Sequence, residues 1–289
     1  MDRAYSVKRT SCSVKQQEKY RNQSGSVMLN KKLISPPFTH ELPGPAWFRV
    51  ADMPAGATYP VHSHPWGEFV FSFSGVMEVR LEGDHLTAPA NYGIWLPPGV
   101  VHEGLNRYSA THCSLYLMPE LCLGMPEVPC TLQVNPLTIA LLEHLRLHPL
   151  LSPLSEENHR LLDVLRDQLK SAQRYKNFLP YTDDPLLKGI MEKLEKNLAD
   201  DTPLAELASS SGTTIRTLNR KCQEVLGMPL NEWRQRMRVV KAMHLLEKGG
   251  KVESVAFEVG YNSASSFIAM FQRQTGITPG QAICSRSSF

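Results

Sequence analysis

The sequence predicts a two-domain protein, β then α: a jelly-roll β-barrel, a helical linker, and a C-terminal all-α domain carrying two helix-turn-helix motifs. Three observations predict it. Residues 33–134 fall into short apolar runs split by Pro and Gly, the texture of an all-β domain. After Asn135-Pro136 the apolar positions take a helical period. Residues 202–279 then repeat themselves. Leu204, Leu207, Gly212, Leu218, Cys222 and Gly227 are matched by Val252, Val255, Gly260, Phe267, Phe271 and Gly276. The offset is 48 up to the inner glycine and 49 after it, so the second copy has one extra turn residue.

Along the chain, residues 1–27 are polar and without hydrophobic periodicity, and are expected to be a disordered tail or to lie upstream of a true start at Met28. Residues 28–134 form the barrel. Glu68 to Ser74 reads as a strand ending at Gly75. Val76 to Leu81 alternates and turns at Glu82-Gly83-Asp84, Gly93 to Leu96 leads into Pro97-Pro98-Gly99, and Thr111 to Met118 is a further strand. About eight such segments close a small jelly roll. With Glu68 facing inward, Phe69, Phe71 and Phe73 face outward and need a cover from the second sheet, the helical linker or a partner subunit, with cover within the same domain expected. Residues 135–182 form the helical linker. Asn135-Pro136 and Ser155-Glu156-Glu157 start its helices, with Leu161, Leu165 and Leu169 on one face of the second.

Residues 183–289 form the second domain. Leu186 to Leu198 is its first helix, and Thr202-Pro203 is expected to cap the next. Each repeat is a short apolar helix, a glycine turn and a longer helix. Between them runs a connector helix, roughly Leu230 to Lys248, with Trp233, Met237, Val240 and Leu245 as its apolar stripe. Two such second helices on one connector can enter successive major grooves about 34 Å apart.

Composition agrees with a globular chain of two ordinary cores: 289 residues, 42% hydrophobic and 20% charged. No apolar run approaches the roughly 20 residues of a membrane span, and the basic N-terminus is not followed by the apolar segment of a secretory signal. The net charge of +3 says little. From Arg216 onward, however, eleven basic residues (Arg216, Arg220, Lys221, Arg234, Arg236, Arg238, Lys241, Lys248, Lys251, Arg273, Arg286) face five glutamates, a local +6 suited to phosphate. The six cysteines form no C-x-x-C pair, so reduced thiols and a cytoplasmic setting are expected, with Cys222 buried in a helix.

Two histidines spaced by one residue on an extended chain face the same way, and Glu68 shares their parity unless Pro65-Trp66-Gly67 bulges the register. Gly56, His62, His64, Glu68 and Gly75 fit G-x5-H-x-H-x3-E-x6-G, and Pro97, Gly99, His102 and Asn106 fit P-x-G-x2-H-x3-N. These resemble the two motifs of the cupin fold. The resemblance implies that His62, His64, Glu68 and His102 bind one divalent ion, a set suited to Zn, Ni, Fe or Mn with open positions for water or ligand. One departure is Asn91 where a glycine is expected six residues before Pro97, with Gly93 nearby. The other histidines, His40, His85, His112, His144, His148, His159 and His244, fit no ligand pattern and are expected at the surface or in packing.

The run Gly260-Tyr261-Asn262-Ser263-Ala264-Ser265-Ser266-Phe267, with Phe271, Gly276 and Thr278-Pro279, resembles the signature of the AraC/XylS family of transcription regulators. In the repeat alignment Arg216, Asn219 and Arg220 correspond to Ser265, Ile268 and Ala269. Arg pairs bidentately with guanine and Asn with adenine, whereas Ile and Ala offer base edges no hydrogen bond. Base readout is therefore expected mainly from Arg216, Thr217, Asn219 and Arg220. Phosphate contacts are expected from Ser263, Ser265, Ser266 and Arg273, with thymine-methyl contact from the apolar positions. Most family members carry Arg at the position of Ala269, a real departure. The resemblance implies a homodimeric, double-stranded-operator-binding regulator, dimerised through the linker region 135–182, an activator that can contact RNA polymerase, whose barrel senses a metal ion or small molecule. Two readings compete with it: a metal-dependent cupin isomerase or dioxygenase fused to a DNA-binding module, and an effector-independent regulator with a relic cupin. Beyond the ligand set only Glu103 and Tyr59 stand out as acid/base candidates.

Overall fold

The computed structural model describes residues 32–284 apart from 39, 74, 90, 107–109 and 152; the tail 1–27, Ser74 and Arg286 lie outside the described residues. In chain order the strands are β1 (Lys32–Leu33), β2 (Ala46–Met53), β3 (Ala57–His62), β4 (Gly67–Ser72), β5 (Val76–Leu81), β6 (Asp84–Pro89), β7 (Tyr92–Leu96), β8 (His102–Leu105), β9 (Ala110–Leu117), β10 (Cys130–Gln133) and β11 (Gln173–Tyr175). They form two facing sheets, ordered β1-β3-β8-β5-β6 and β11-β10-β7-β4-β9-β2, with every pair antiparallel except β1 with β3.

Alternation along β4 decides which side chains meet the cavity between the sheets. Glu68 and Val70 pair with Leu96 and Ile94 on β7 and with Tyr116 and Ser114 on β9, and point inward. Phe69 and Phe71 point the other way and are fully buried. Their cover is supplied by the linker helices α1 (Pro136–Leu147) and α2 (Glu156–Ser171), whose Leu142, Leu145, Leu162, Leu165 and Leu169 join Phe69, Phe71, Trp95 and Leu115 in one core. The second sheet supplies none of it, because it closes the opposite face of the barrel. On α2 it is Leu162, not Leu161, that is buried beside Leu165 and Leu169. Asn135 accepts from the Thr138 amide at 2.8 Å, and Ser155 caps α2 through the Asn158 amide. After α2 the chain returns as β11 to extend the sheet that the helices cover.

The second domain comprises α3 (Pro185–Lys196), α4 (Leu204–Ser210), α5 (Ile215–Leu226), α6 (Leu230–Glu247), α7 (Val252–Glu258), α8 (Ala264–Thr275) and α9 (Pro279–Cys284). Both inner turns of the repeat require a left-handed residue, supplied by Gly212 at φ 69° and Gly260 at φ 89°. The extra residue of the second copy falls between this glycine and the next helix: Thr214 caps α5, and Ser263, 49 positions on, caps α8. Thr202-Pro203 does not cap α4 through a side chain. Pro203 occupies the cap position with no hydroxyl or carboxylate to offer, and the Thr202 carbonyl accepts from Arg234.

The connector α6 is more buried than one stripe predicts. Trp233, Met237 and Val240 are in the core as expected and Leu245 is half-buried, but Val239, Ala242, Met243 and Leu246 are buried too. The reason is that α6 is wrapped by both helical motifs and by the barrel. A continuous apolar cluster runs from Leu86 and Tyr92 through Phe178 and Leu179 to Trp233 and Met237. Trp233 donates to the Pro180 carbonyl at 2.8 Å, and the buried Asn177 amide spans the edge of β6, accepting from the Thr87 amide and donating to the His85 carbonyl. Cys113, Cys122, Cys130 and Cys222 are free thiols. No helix among the described residues is long and apolar enough to cross a membrane.

Candidate functional site

His62 ends β3, His64 lies in the following turn, Glu68 is on β4 and His102 opens β8 opposite His62. The chain crosses from one sheet to the other between His62 and Gly67, so strand parity does not place Glu68 beside the histidines. It converges on them because the two sheets face each other. One ring nitrogen from each of His62, His64 and His102 lies within 4.8 Å of the others. The Glu68 carboxylate is 3.0 Å from His64 Nε2 and 3.6 Å from His102 Nε2.

Each imidazole is held by a backbone carbonyl two residues away. His62 Nδ1 donates to Pro60 at 2.7 Å, His64 Nδ1 to Trp66 at 2.8 Å and His102 Nδ1 to Val100 at 3.0 Å. With Nδ1 carrying the proton, a neutral ring presents the Nε2 lone pair. Lone pairs facing a carboxylate call for a cation between them, a proton or a metal ion, and carbonyl-anchored imidazoles are the usual outer support of metal-bound histidine. The donor set therefore fits a divalent ion. Burial and the neighbouring His102 lower the His62 pKa to about 4, keeping it neutral. Burial alone would raise the Glu68 carboxyl, but His102 and His64 outweigh it and hold the group well below the usual carboxylate range. The cluster sits at one wall of a cavity of about 70 Å³ whose other walls include Arg49, Tyr59, Met77, Val79, Leu96 and Tyr116.

His112 belongs to this cavity too, and its place was not legible from spacing. It is buried on β9, with Nε2 3.1 Å from Asn106 Oδ1, and Asn106 donates to the Met53 and Pro54 carbonyls at 3.1 and 3.0 Å. Burial lowers its pKa from 6.5 to about 4. The unfolded chain then binds the proton more readily, so His112 should contribute a loss of stability of about 3 kcal/mol at most as pH drops from about 6.5 to about 4. His62, lowered to the same value, contributes alongside it, so denaturation midpoints across that range should show the summed loss and His112→Gln should remove about half of the slope; an unchanged slope in the variant would remove His112 as a source.

On the helical domain, Arg216, Asn219 and Arg220 of α5 and Ser265, Ala269 and Arg273 of α8 are exposed, while Thr217 and Ile268 are half-buried, Ile268 packing on the core. Arg220 Nη1 is 3.0 Å from Glu224, an exposed i,i+4 pair of about 0.3–0.5 kcal/mol that leaves the guanidinium free to exchange partners. Arg273 donates to Gln235 at 3.1 Å. Ser263 Oγ accepts the Ser266 amide and meets Ser266 Oγ at 2.9 Å, as Thr214 does for Thr217 in the first copy, so these hydroxyls already serve as helix caps.

The basic surplus is not all surface. Arg234, Arg236 and Arg238 are buried and donate to the carbonyls of Thr202, Phe178 and Leu198. They satisfy backbone groups at chain bends, a task only a long donor can perform from a central helix. Among the described residues from Arg216 onward, the exposed cations are Arg216, Arg220, Lys248, Lys251 and Arg273, with Lys221 and Lys241 half-buried and Lys221 paired to Asp184 at 2.6 Å.

A helix-turn-helix domain family model matches residues 192–283 and a cupin domain model residues 49–119. The HTH-type transcriptional regulator NimR of Escherichia coli K12 is 30% identical over 226 residues, 78% of this chain and 82% of NimR. The chain belongs to the AraC/XylS family. It is an AraC/XylS DNA-binding transcription regulator with a β-rich cupin domain before a helical helix-turn-helix domain. RipA of Corynebacterium glutamicum, named an HTH-type transcriptional regulator, is 37% identical over 92 residues, 32% of this chain and 28% of RipA. The structure of ToxT from Vibrio cholerae O395 aligns over 85% of this chain and 99% of ToxT at 14% identity, with a TM-score of 0.37. For this AraC/XylS regulator the relatives' names point away from an enzyme.

Proposed function

We propose that this regulator binds a divalent metal ion through His62, His64, Glu68 and His102, and that the occupied barrel alters DNA binding by the helical domain. The observation that carries it is the convergence of three imidazole nitrogens, each ring anchored through Nδ1, with the Glu68 carboxylate against His64 and His102. The ion would supply a fixed positive charge with open positions. The cavity beside it suits a small anionic or polar ligand at the cluster, with apolar contacts from Met77, Val79 and Leu96.

In this reading residues 28–134 sense, residues 135–182 cover and brace the barrel, and residues 183–289 read an operator in the cytoplasm. Arg216, Thr217, Asn219 and Arg220 carry most base readout, and Ser263, Ser265, Ser266 and Arg273 the phosphate contacts. Homodimerisation and contact with RNA polymerase belong to the same proposal, by family likeness.

The test is DNA binding by protein stripped with chelator and then reloaded with Zn, Ni, Fe(II) or Mn(II). A change in operator affinity on reloading, without consumption of any added substrate or oxygen, supports the sensor. Metal-dependent turnover with unchanged affinity would make the barrel an enzyme, and no response to any ion would make it a relic.

A further inference from the structure

Asn91 departs from the cupin pattern, and the structure gives it two tasks. It sits in the turn between β6 and β7 at φ 67°, the one described non-glycine residue in the left-handed region. That backbone fits the glycine the pattern expects. Among side chains it admits Asn or Asp far more readily than any other, and of these only Asn carries an amide donor. The donor is used: Asn91 Nδ2 hydrogen-bonds the carbonyl of Thr275, the last residue of α8.

The partner side is fitted to the same contact. The last carbonyls of a helix lack donors within the helix and need one from outside. Gly276 follows at φ 77°, and a Cβ there would lie 2.3 Å from the Asn91 amide nitrogen. Thus a left-handed residue stands on each side of the contact, which crosses the boundary between barrel and helical domain. With the contact made, the outer side of α8 stays open: Ser265, Ser266, Ala269 and Arg273 are all exposed.

We propose that Asn91 is a positioning residue for DNA reading: it ties the barrel to the C-terminal end of the second reading helix and holds that helix in the orientation that reads DNA. Because α8 remains exposed while docked, the contact pre-organises the helix for its groove and does not hide it. The inference rests on the family's DNA-binding activity and not on the metal.

The test uses the full chain and random-sequence duplexes. Unaltered protein should select a two-part site, its halves about one helical turn apart. Asn91→Gly keeps the turn and removes the donor. Asn91→Asp keeps the turn and sets a carboxylate against the Thr275 carbonyl. Both variants should fold with unchanged circular dichroism. Asn91→Gly should lower affinity for the two-part site about two- to tenfold, the value of one hydrogen bond, and Asn91→Asp at least as much. The loss should fall on the half bound by α8, as weaker phosphate contact and a reduced preference for thymine there, with base preference in the half read by α5 unaffected; a merely structural loss would erode both halves alike. Unchanged selection and affinity, tighter binding, or equal loss on both halves would each overturn the proposal.

Discussion

A chain carrying His62→Ala and His102→Ala together should contain no bound divalent metal, whereas the unaltered protein should hold about one ion per chain. The two removed rings are opposite one another across β3 and β8 with centroids 4.3 Å apart, so their loss opens one side of the cluster. Two candidate ligands remain, His64 and Glu68, which are 3.0 Å apart and in contact with each other. The effect should be all or none, because two protein donors without the others rarely retain an ion through purification. Added metal should also stabilise the unaltered protein by about 4 kcal/mol at a thousandfold excess over the dissociation constant, seen as a raised denaturation midpoint. Elemental analysis of protein prepared without chelator or affinity tag measures the first effect directly. Equal metal content in the double variant would remove these residues as ligands.

Arg236→Met should cost about 3 kcal/mol of stability and leave the salt dependence of DNA binding unchanged. The guanidinium is buried on α6, donates to Phe178 at 2.9 Å and meets Glu232 at 2.5 Å, and lies 5.0 Å from the Phe178 ring and 5.3 Å from that of Tyr175. Met can fill part of the volume but leaves the Phe178 carbonyl without its donor and Glu232 without its partner. The segment tied down is the one between α2 and α3, so loosening should spread to the contact of barrel and connector. Chemical denaturation of the full chain reports the cost. A variant of native stability whose binding loses about one unit of salt slope would show that Arg236 contacts phosphate after all.

What was legible in the sequence was local. The repeat at 48 and 49 residues showed both helix-turn-helix motifs and even the extra turn residue, because glycines and buried positions recur wherever the same packing recurs. The cluster of His62, His64, Glu68 and His102 was legible as residue types at a spacing, but not as a shape: the path from His62 to Glu68 changes sheets, and the three carbonyls that aim the rings have no side-chain signal at all. The linker helices read as amphipathic stripes, but only the structure shows that they cover Phe69 and Phe71. Charge misled most. Arg234, Arg236 and Arg238 look like a phosphate patch in the sequence, and bonding to carbonyls distant in the chain is what buries them. His112 and Asn91 were hidden for the same reason, since their partners are set by tertiary contact.

The most direct test of the account is a binding titration against single-base variants of the selected operator, comparing Arg220→Ala, Arg273→Ala and changes at Ser265. Arg220 is exposed on α5 and paired to Glu224, while α8 offers Ala269 at the equivalent position. Arg220→Ala should cost about 1–3 kcal/mol on the selected site and relax preference at one base pair. Arg273→Ala should weaken all sequences evenly and flatten the salt dependence. If Arg220→Ala leaves the preference intact while a change at Ser265 shifts it, α8 is the principal reader and the assignment of the two motifs is reversed.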